Sequence, residues 1–127
     1  MTDTREPFDL SKAVVGLTRT GEFNILDRGD GPPPRIDGVT VGAGLMTEND
    51  PHAGEMHPDG DELLVLISGQ VHILLEEEGA DRAVVLQPGH AFVVPQGVWH
   101  QVLLQEPSHL FNVTPGPRCE YRALPEE

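Results

Sequence analysis

The chain has 127 residues, enough for one hydrophobic core and too few for two. Its 21 acidic residues against 8 basic ones leave a net charge of −13, which repels phosphate backbones and anionic bilayers, so nucleic acid and membrane are not expected partners. Aromatic residues make up only 5% of it, too few for a platform that stacks bases or sugars.

In chain order, Met1 to Leu10 is polar and acidic and lacks the apolar segment of a leader peptide. Asp9 to Gly16 is the one stretch that could form a short helix, capped by Asp9 or Ser11. Arg28 to Arg35, reading RGDGPPPR, is a loop, and the RGD within it is a chance match. Short apolar runs follow at Val39 to Val41, Leu63 to Ile67, Val71 to Leu75, Ala83 to Leu86, Ala91 to Val94, Val98 to Leu104 and Leu110 to Val113. Separated by turn residues and without a 3.6-residue period, they predict an antiparallel sandwich or barrel. Ser68-Gly69-Gln70 and Glu78-Gly79-Ala80-Asp81 read as hairpin turns, while Gln87-Pro88-Gly89 and Pro95-Gln96-Gly97 change the strand direction. None of these runs approaches the length of a bilayer span, so a soluble, cytoplasmic chain is expected. Cys119 stands alone, which excludes an intrachain disulfide and a multi-cysteine zinc site and leaves it a bystander near the C-terminus.

Two segments concentrate metal-ligating side chains. His57, Glu62 and Gly69 are spaced H-x4-E-x6-G, and Gly89, Pro95, Gly97 and His100 are spaced G-x5-P-x-G-x2-H. Residues two apart on a strand share a face, so Glu55 and His57 form a chelating pair with Met56 turned away. The turn Pro58 to Asp61 brings the chain back so that Glu62 opens the next strand beside them. In the strand from Val98 to Leu104, His100 is the single polar group in the row Val98, His100, Val102, Leu104, where a neutral imidazole needs a partner such as a metal ion.

These two segments resemble the paired signature motifs of the cupin superfamily, the first from Asn49 to Gly69 and the second from Gly89 to Leu104. The resemblance implies an all-β fold, a cupin or jelly-roll double-stranded antiparallel barrel with at most a short N-terminal helix. It implies one domain over 1–127, with N-terminal strands and an arm to residue 45, the barrel over 46–113 and a tail over 114–127. It also implies one divalent metal ion, Fe, Mn, Zn or Ni. Metal-binding members usually carry H-x-H before the Glu; here the first of those positions is Glu55. If Glu55 is a ligand, the set is Glu55, His57, Glu62 and His100. If it is not, His57, Glu62 and His100 leave open positions of the kind non-haem iron uses, and Glu55 stands beside the substrate as a general base. In a third reading the metal has been lost and the cavity takes an organic ligand. Leu104 stands where the second motif often has Asn.

Further residues are assigned by position. His52 could swing toward the site and replace the missing imidazole, whereas His72 and His90 are expected at the surface and His109 opens the last strand. Leu64, Leu66, Phe92, Val94, Val102, Phe111 and Val113 are candidates for pocket walls or core, and Trp99 should face away from the metal. Gly42 and Gly44 do not form a nucleotide loop, because no strand-to-helix context follows them.

The expected function is that of a small mononuclear metal-dependent cupin acting on a small organic molecule, with Fe(II)-dependent dioxygenase-like oxidation as one form of it. The alternative is a cupin that binds or senses a small ligand without turnover. Epimerase-like chemistry without metal is weaker, since it would pair a His with a Tyr acid and Tyr121 lies in the tail. A homodimer formed by pairing edge strands is expected, with the segment before Gly16 and the tail from Pro115 as exchanged or packing arms.

Overall fold

The computed structural model describes residues 6–125. Among them every regular element is a strand, and no helix is long and apolar enough to cross a membrane. One sheet holds six strands: β1 (Ala13–Thr18), β2 (Phe23–Asp27), β3 (Gly38–Met46), β5 (Glu62–Ser68), β8 (Ala91–Val94) and β10 (Ser108–Gly116), in the order β2-β1-β3-β10-β5-β8. The other holds five: β4 (Glu55–Met56), β6 (Val71–Glu77), β7 (Ala80–Leu86), β9 (His100–Leu104) and β11 (Glu120–Tyr121), in the order β11-β4-β9-β6-β7. All pairings are antiparallel. The fold is the all-β jelly-roll barrel that the alternating apolar runs and the motif resemblance predict.

Strict alternation sends one side of each strand into the barrel. Leu64 and Leu66 of β5, Val71, Ile73 and Leu75 of β6, and Leu86, Val94 and Leu110 form one buried cluster. Each such side chain contributes about 1.5–3 kcal/mol by leaving water. Phe92, Val98, Val102 and Leu104 pack against this cluster from the rim. Phe111 and Val113 alternate with inward-facing Leu110, Asn112 and Thr114 on β10, so these two proposed wall residues lie on the outer face.

The expected helix over Asp9 to Gly16 does not form. Asp9 does cap a turn, its Oδ1 accepting from the Ser11 amide (2.9 Å) and hydroxyl (2.6 Å). From Ala13 on, the β-branched Val14 and Val15 enter β1, where pairing with both β2 and β3 outweighs a single capped turn. Ser68-Gly69-Gln70 is not a hairpin either: β5 and β6 belong to different sheets, so this turn is the corner between them. Glu78 and Gly79 do form a hairpin loop, closed by the pair Glu77 and Ala80. Both expected arms are strands of the chain's own sheets: β1 lies between β2 and β3, and the tail supplies β11 beside β4.

Candidate metal centre

The two motifs meet because their turns are bonded together. Glu62 pairs with Val94, the Gly97 amide donates to the His57 carbonyl (3.0 Å), and Gln96 donates from its amide to Asp61 Oδ1 and from Nε2 to the Pro58 carbonyl, both at 2.7 Å. Asn49 Oδ1, at the start of the first motif, accepts the Leu104 amide at the end of the second (2.8 Å). Glu55 and His100 are cross-strand partners on β4 and β9, while Glu62 faces them from the other sheet.

Glu55, His57, Glu62 and His100 each offer one ligand atom, and these atoms all lie within 4.8 Å of one another. His100 Nε2 is 3.1 Å from Glu62 Oε1 and 3.5 Å from Glu55 Oε1; His57 Nε2 is 3.3 Å from Glu62 Oε2 and 3.7 Å from Glu55 Oε1. Donors held about 2.1 Å from a common ion stand about 3.0–3.4 Å apart at octahedral or tetrahedral angles, so the set is close to the size of one ion. His100 Nδ1 donates to the Val98 carbonyl (2.9 Å), which fixes the ring and turns Nε2 toward the cluster. Both ring nitrogens of His57 are buried without a hydrogen-bond partner among the described residues. A fully enclosed imidazole left in this state fits a group that coordinates a metal. Thr114 donates to Glu62 Oε2 (2.6 Å) and receives Asn112 Nδ2 (2.7 Å), locking the carboxylate orientation.

Without an ion the cluster balances its own charge. Burial opposes the positive charge on His57, but the neighbouring Cys119 thiol, Glu55 and Glu62 outweigh it and raise the imidazole to about 11. Burial likewise opposes the charge on His100, which Glu55, Glu62 and the Val98 carbonyl raise to about 9. Burial would push Glu55 and Glu62 up, yet the imidazoles of His100 and His57 hold both below the usual carboxylate range.

An open cavity of about 870 Å³ reaches this cluster at Glu55 and Glu62, with Leu64, Val102 and Leu110 on its apolar side. Such a volume suits a small organic ligand. Of the two members that border the cavity Glu55 is the more open, its side chain 17% exposed against 3% or less for the other three. The arrangement can bind an ion against the protein wall and present it, with Glu55, to a ligand in the cavity.

A family model described as a cupin domain matches residues 45–114. The chain belongs to the Cupin_2 family. Among solved structures, this cupin resembles a cupin-2 domain protein from Shewanella frigidimarina, with 18% identity, 72% of this chain and 85% of that one covered, and a TM-score of 0.54. It also resembles the oxalate decarboxylase of Bacillus subtilis, a protein with Mn(II) centres, at 18% identity over 65% of this chain and 23% of that one, TM-score 0.56. The Fe(II) form of hydroxypropylphosphonic acid epoxidase matches at 16% identity over 60% of this chain and 42% of that one, TM-score 0.49. The cupin therefore spans less than half the length of either enzyme, and at 18% identity its likeness to the Shewanella protein and to the decarboxylase is one of fold. No curated protein matches the sequence significantly.

Within this cupin, His52 stays outside the four-residue cluster. Its Nδ1 accepts the Gly54 amide (3.2 Å), its Nε2 is 3.9 Å from Glu55 Oε2, and its ring lies against Tyr121 with centroids 5.2 Å apart. His90 and His109 are exposed and His72 is half-buried on the outer side of β6. Trp99 faces away from the cluster, its ring covered by the Arg122 guanidinium 4.0 Å from the centroid.

Sequence reasoning placed the tail away from the site, and that is corrected. Tyr121 pairs with Glu55 in register and lines the cavity, its phenol pushed up by burial and by Cys119. Cys119 stands next to His57, close enough to affect its charge but outside hydrogen-bond geometry. Arg35 and Asn112 were also missed. A two-residue strand such as β11 leaves no periodicity to detect, and Arg35 sits in a proline-rich loop. Asn112 alone carried a signal: one amide among the apolar residues Leu110, Phe111 and Val113.

Proposed function

We propose that the chain is a mononuclear metal-dependent cupin acting on a small organic molecule, with His57, Glu62 and His100 holding one divalent ion of Fe, Mn, Zn or Ni. The observation that carries this reading is the convergence of these donors with Glu55 on the floor of a ligand-sized cavity. Bound there, a divalent ion supplies Lewis acidity toward a substrate oxygen or, as iron held by two imidazoles and a carboxylate, a site for dioxygen. The dioxygenase-like form of the reading rests on His57, Glu62 and His100 as two imidazoles and one carboxylate with open positions, and Glu55 at the cavity border then suits a base that takes a proton from the substrate.

The protein's own contributions are definite. Thr114 and the Val98 carbonyl orient Glu62 and His100. Leu64, Val102 and Leu110 keep the substrate's apolar part out of water, which strengthens each polar contact at the floor. The proposal includes a cytoplasmic setting, in keeping with a single free cysteine. It also includes a homodimer that joins the largely aliphatic face of the six-stranded sheet to that of a second copy.

Elemental analysis of protein purified anaerobically without chelator tests the metal. Near-stoichiometric metal is expected in the wild type and at least tenfold less in His57→Ala and His100→Ala. Retention of metal by Glu55→Gln assigns Glu55 as base; its loss assigns Glu55 as ligand. A wild type that stays metal-free after reconstitution overturns the reading in favour of a cupin that binds a ligand without turnover.

A further inference from the structure

The arginines among the described residues divide by their surroundings. Arg19, Arg82, Arg118 and Arg122 pair with Asp37, Glu77, Asp59 and Glu76. Arg28 and Arg35 have no carboxylate partner among the described residues, in a chain where acids outnumber bases 21 to 8. Both line the cavity above the metal cluster. Three of the chain's 8 cationic residues border that cavity, Arg28, Arg35 and Arg122, against only three of its 21 acids, Asp50, Glu55 and Glu62. The two arginines without a carboxylate partner among the described residues therefore border the same cavity.

Arg35 is the one held in position. Its Nη1 donates to Thr40 Oγ1 (2.9 Å), Thr40 Oγ1 donates to the Thr114 carbonyl (3.4 Å), and Thr114 Oγ1 donates to Glu62 Oε2 (2.6 Å). Two buried threonines therefore tie the guanidinium to the carboxylate of the metal cluster. Arg35 Nε is enclosed by the protein and Nη1 is taken by Thr40 and the Pro34 carbonyl (3.4 Å), so among the described residues Nη2 is the guanidinium nitrogen that is neither bonded nor enclosed. An oriented guanidinium with a free terminal nitrogen at a cavity wall is suited to a charge-assisted hydrogen bond to a carboxylate oxygen. Room for the rest of such a ligand exists on β3, where Gly44 faces the cavity and a Cβ there would meet nothing within 4 Å.

We infer that the ligand is a small monocarboxylate whose carboxylate is held by Arg35, with Arg28 at the rim, and whose apolar body lies on Leu64, Val102 and Leu110. A second oxygen on the same molecule is then directed toward the floor. A dianion such as phosphate fits less well, because Asp50, Glu55 and Glu62 border the same space. This inference rests on the cluster being the reaction centre.

Titration calorimetry with benzoate and its uncharged counterpart benzamide, on metal-loaded and chelator-treated protein, tests it. Benzoate is expected to bind at least about tenfold more tightly than benzamide in both forms, a charge-assisted hydrogen bond to the guanidinium being the difference. Inorganic phosphate is expected to compete poorly. Arg35→Gln should abolish the preference in chelator-treated protein while metal content stays at the wild-type level; Arg35→Lys, which keeps the charge, should retain part of it. Equal affinities in the wild type overturn the inference without reference to any variant. So does a preference that survives Arg35→Gln, or phosphate competing as well as benzoate. Metal bound without a benzoate preference defeats this inference alone, whereas a benzoate preference without metal defeats the metal reading alone.

Discussion

Glu55, His57, Glu62 and His100 hold two opposite charge pairs in a space the size of one ion, so either two protons or one dication can neutralise the two carboxylates. The raised imidazoles mean that the metal-free protein keeps those protons near neutrality. Their contribution to stability is fully present below their ordinary value of 6.5 and is lost as pH rises through about 9 for His100 and about 11 for His57. Glu55 and Glu62 are lowered, so theirs is present above 4.5 and lost on acidification. Metal-free protein should therefore melt highest between 4.5 and 6.5 and at falling temperatures above that window. Metal binding must expel the imidazole protons, so its affinity should climb with pH and about two protons should leave per ion near neutrality. Calorimetry in buffers of different ionisation enthalpy counts them; a heat independent of buffer would mean that the imidazoles are already neutral.

At the scale of elements, two of the three motif glycines do different work. Gly69 makes the corner from β5 into β6 at φ +94°, where a Cβ would come within 2.2 Å of Ser108 Oγ and 2.6 Å of the Pro107 carbonyl. Ser108 is itself fully buried and accepts the Gln70 amide, so it has nowhere to go. Gly89 has a similar φ, +82°, but nothing within 4 Å. Chemical denaturation should show Gly69→Ala costing about 2–4 kcal/mol, conformational strain plus overpacking, and Gly89→Ala only about 1 kcal/mol. Equal costs would mean that the corner is not closely packed. The motif spacing made both glycines legible, but only the structure separates them, because the clash at Gly69 comes from residues nearly forty positions away. The same division runs through the site. His57, Glu62 and His100 were readable because each sits at a fixed step from a turn, and Glu55 because period-two alternation puts it beside His57. Arg35 and Tyr121 reach the cavity through a proline-rich loop and a two-residue strand, where local sequence does not determine direction. The helix expected at Asp9 failed for a related reason: its capping signal was real, but the edge of β3 offered Val15 and its neighbours a longer partner.

Over the whole molecule, the two sheets treat their outer faces differently. On the five-stranded sheet the outer positions include His72, Glu76, Asp81 and Gln101, a mixed and charged surface. Across the six-stranded sheet one row runs Val15, Val41, Val113, Leu63, Val93, aliphatic on five strands and ending at Ile25 of β2, which is buried, and the next runs Ala43, Phe111, Val65, Ala91. Neither row carries a charge in a chain of net charge −13. Copies of so acidic a molecule repel one another wherever carboxylates face each other, and the one carboxylate that the strands place on this face is Asp27, at the β2 edge. An apolar sheet face of this kind packs well on another like it, with strands aligned within about 30°. Ile67 and Val93, 54% and 52% exposed, lie on this face and can take a charge without disturbing the barrel interior. Sedimentation analysis should find a dimer in the wild type, and Ile67→Glu and Val93→Glu should each weaken it at least tenfold while leaving the melting temperature of the monomer nearly unchanged. A wild type that stays monomeric through the micromolar range would remove the dimer, and a dimer indifferent to both substitutions would move it to another face.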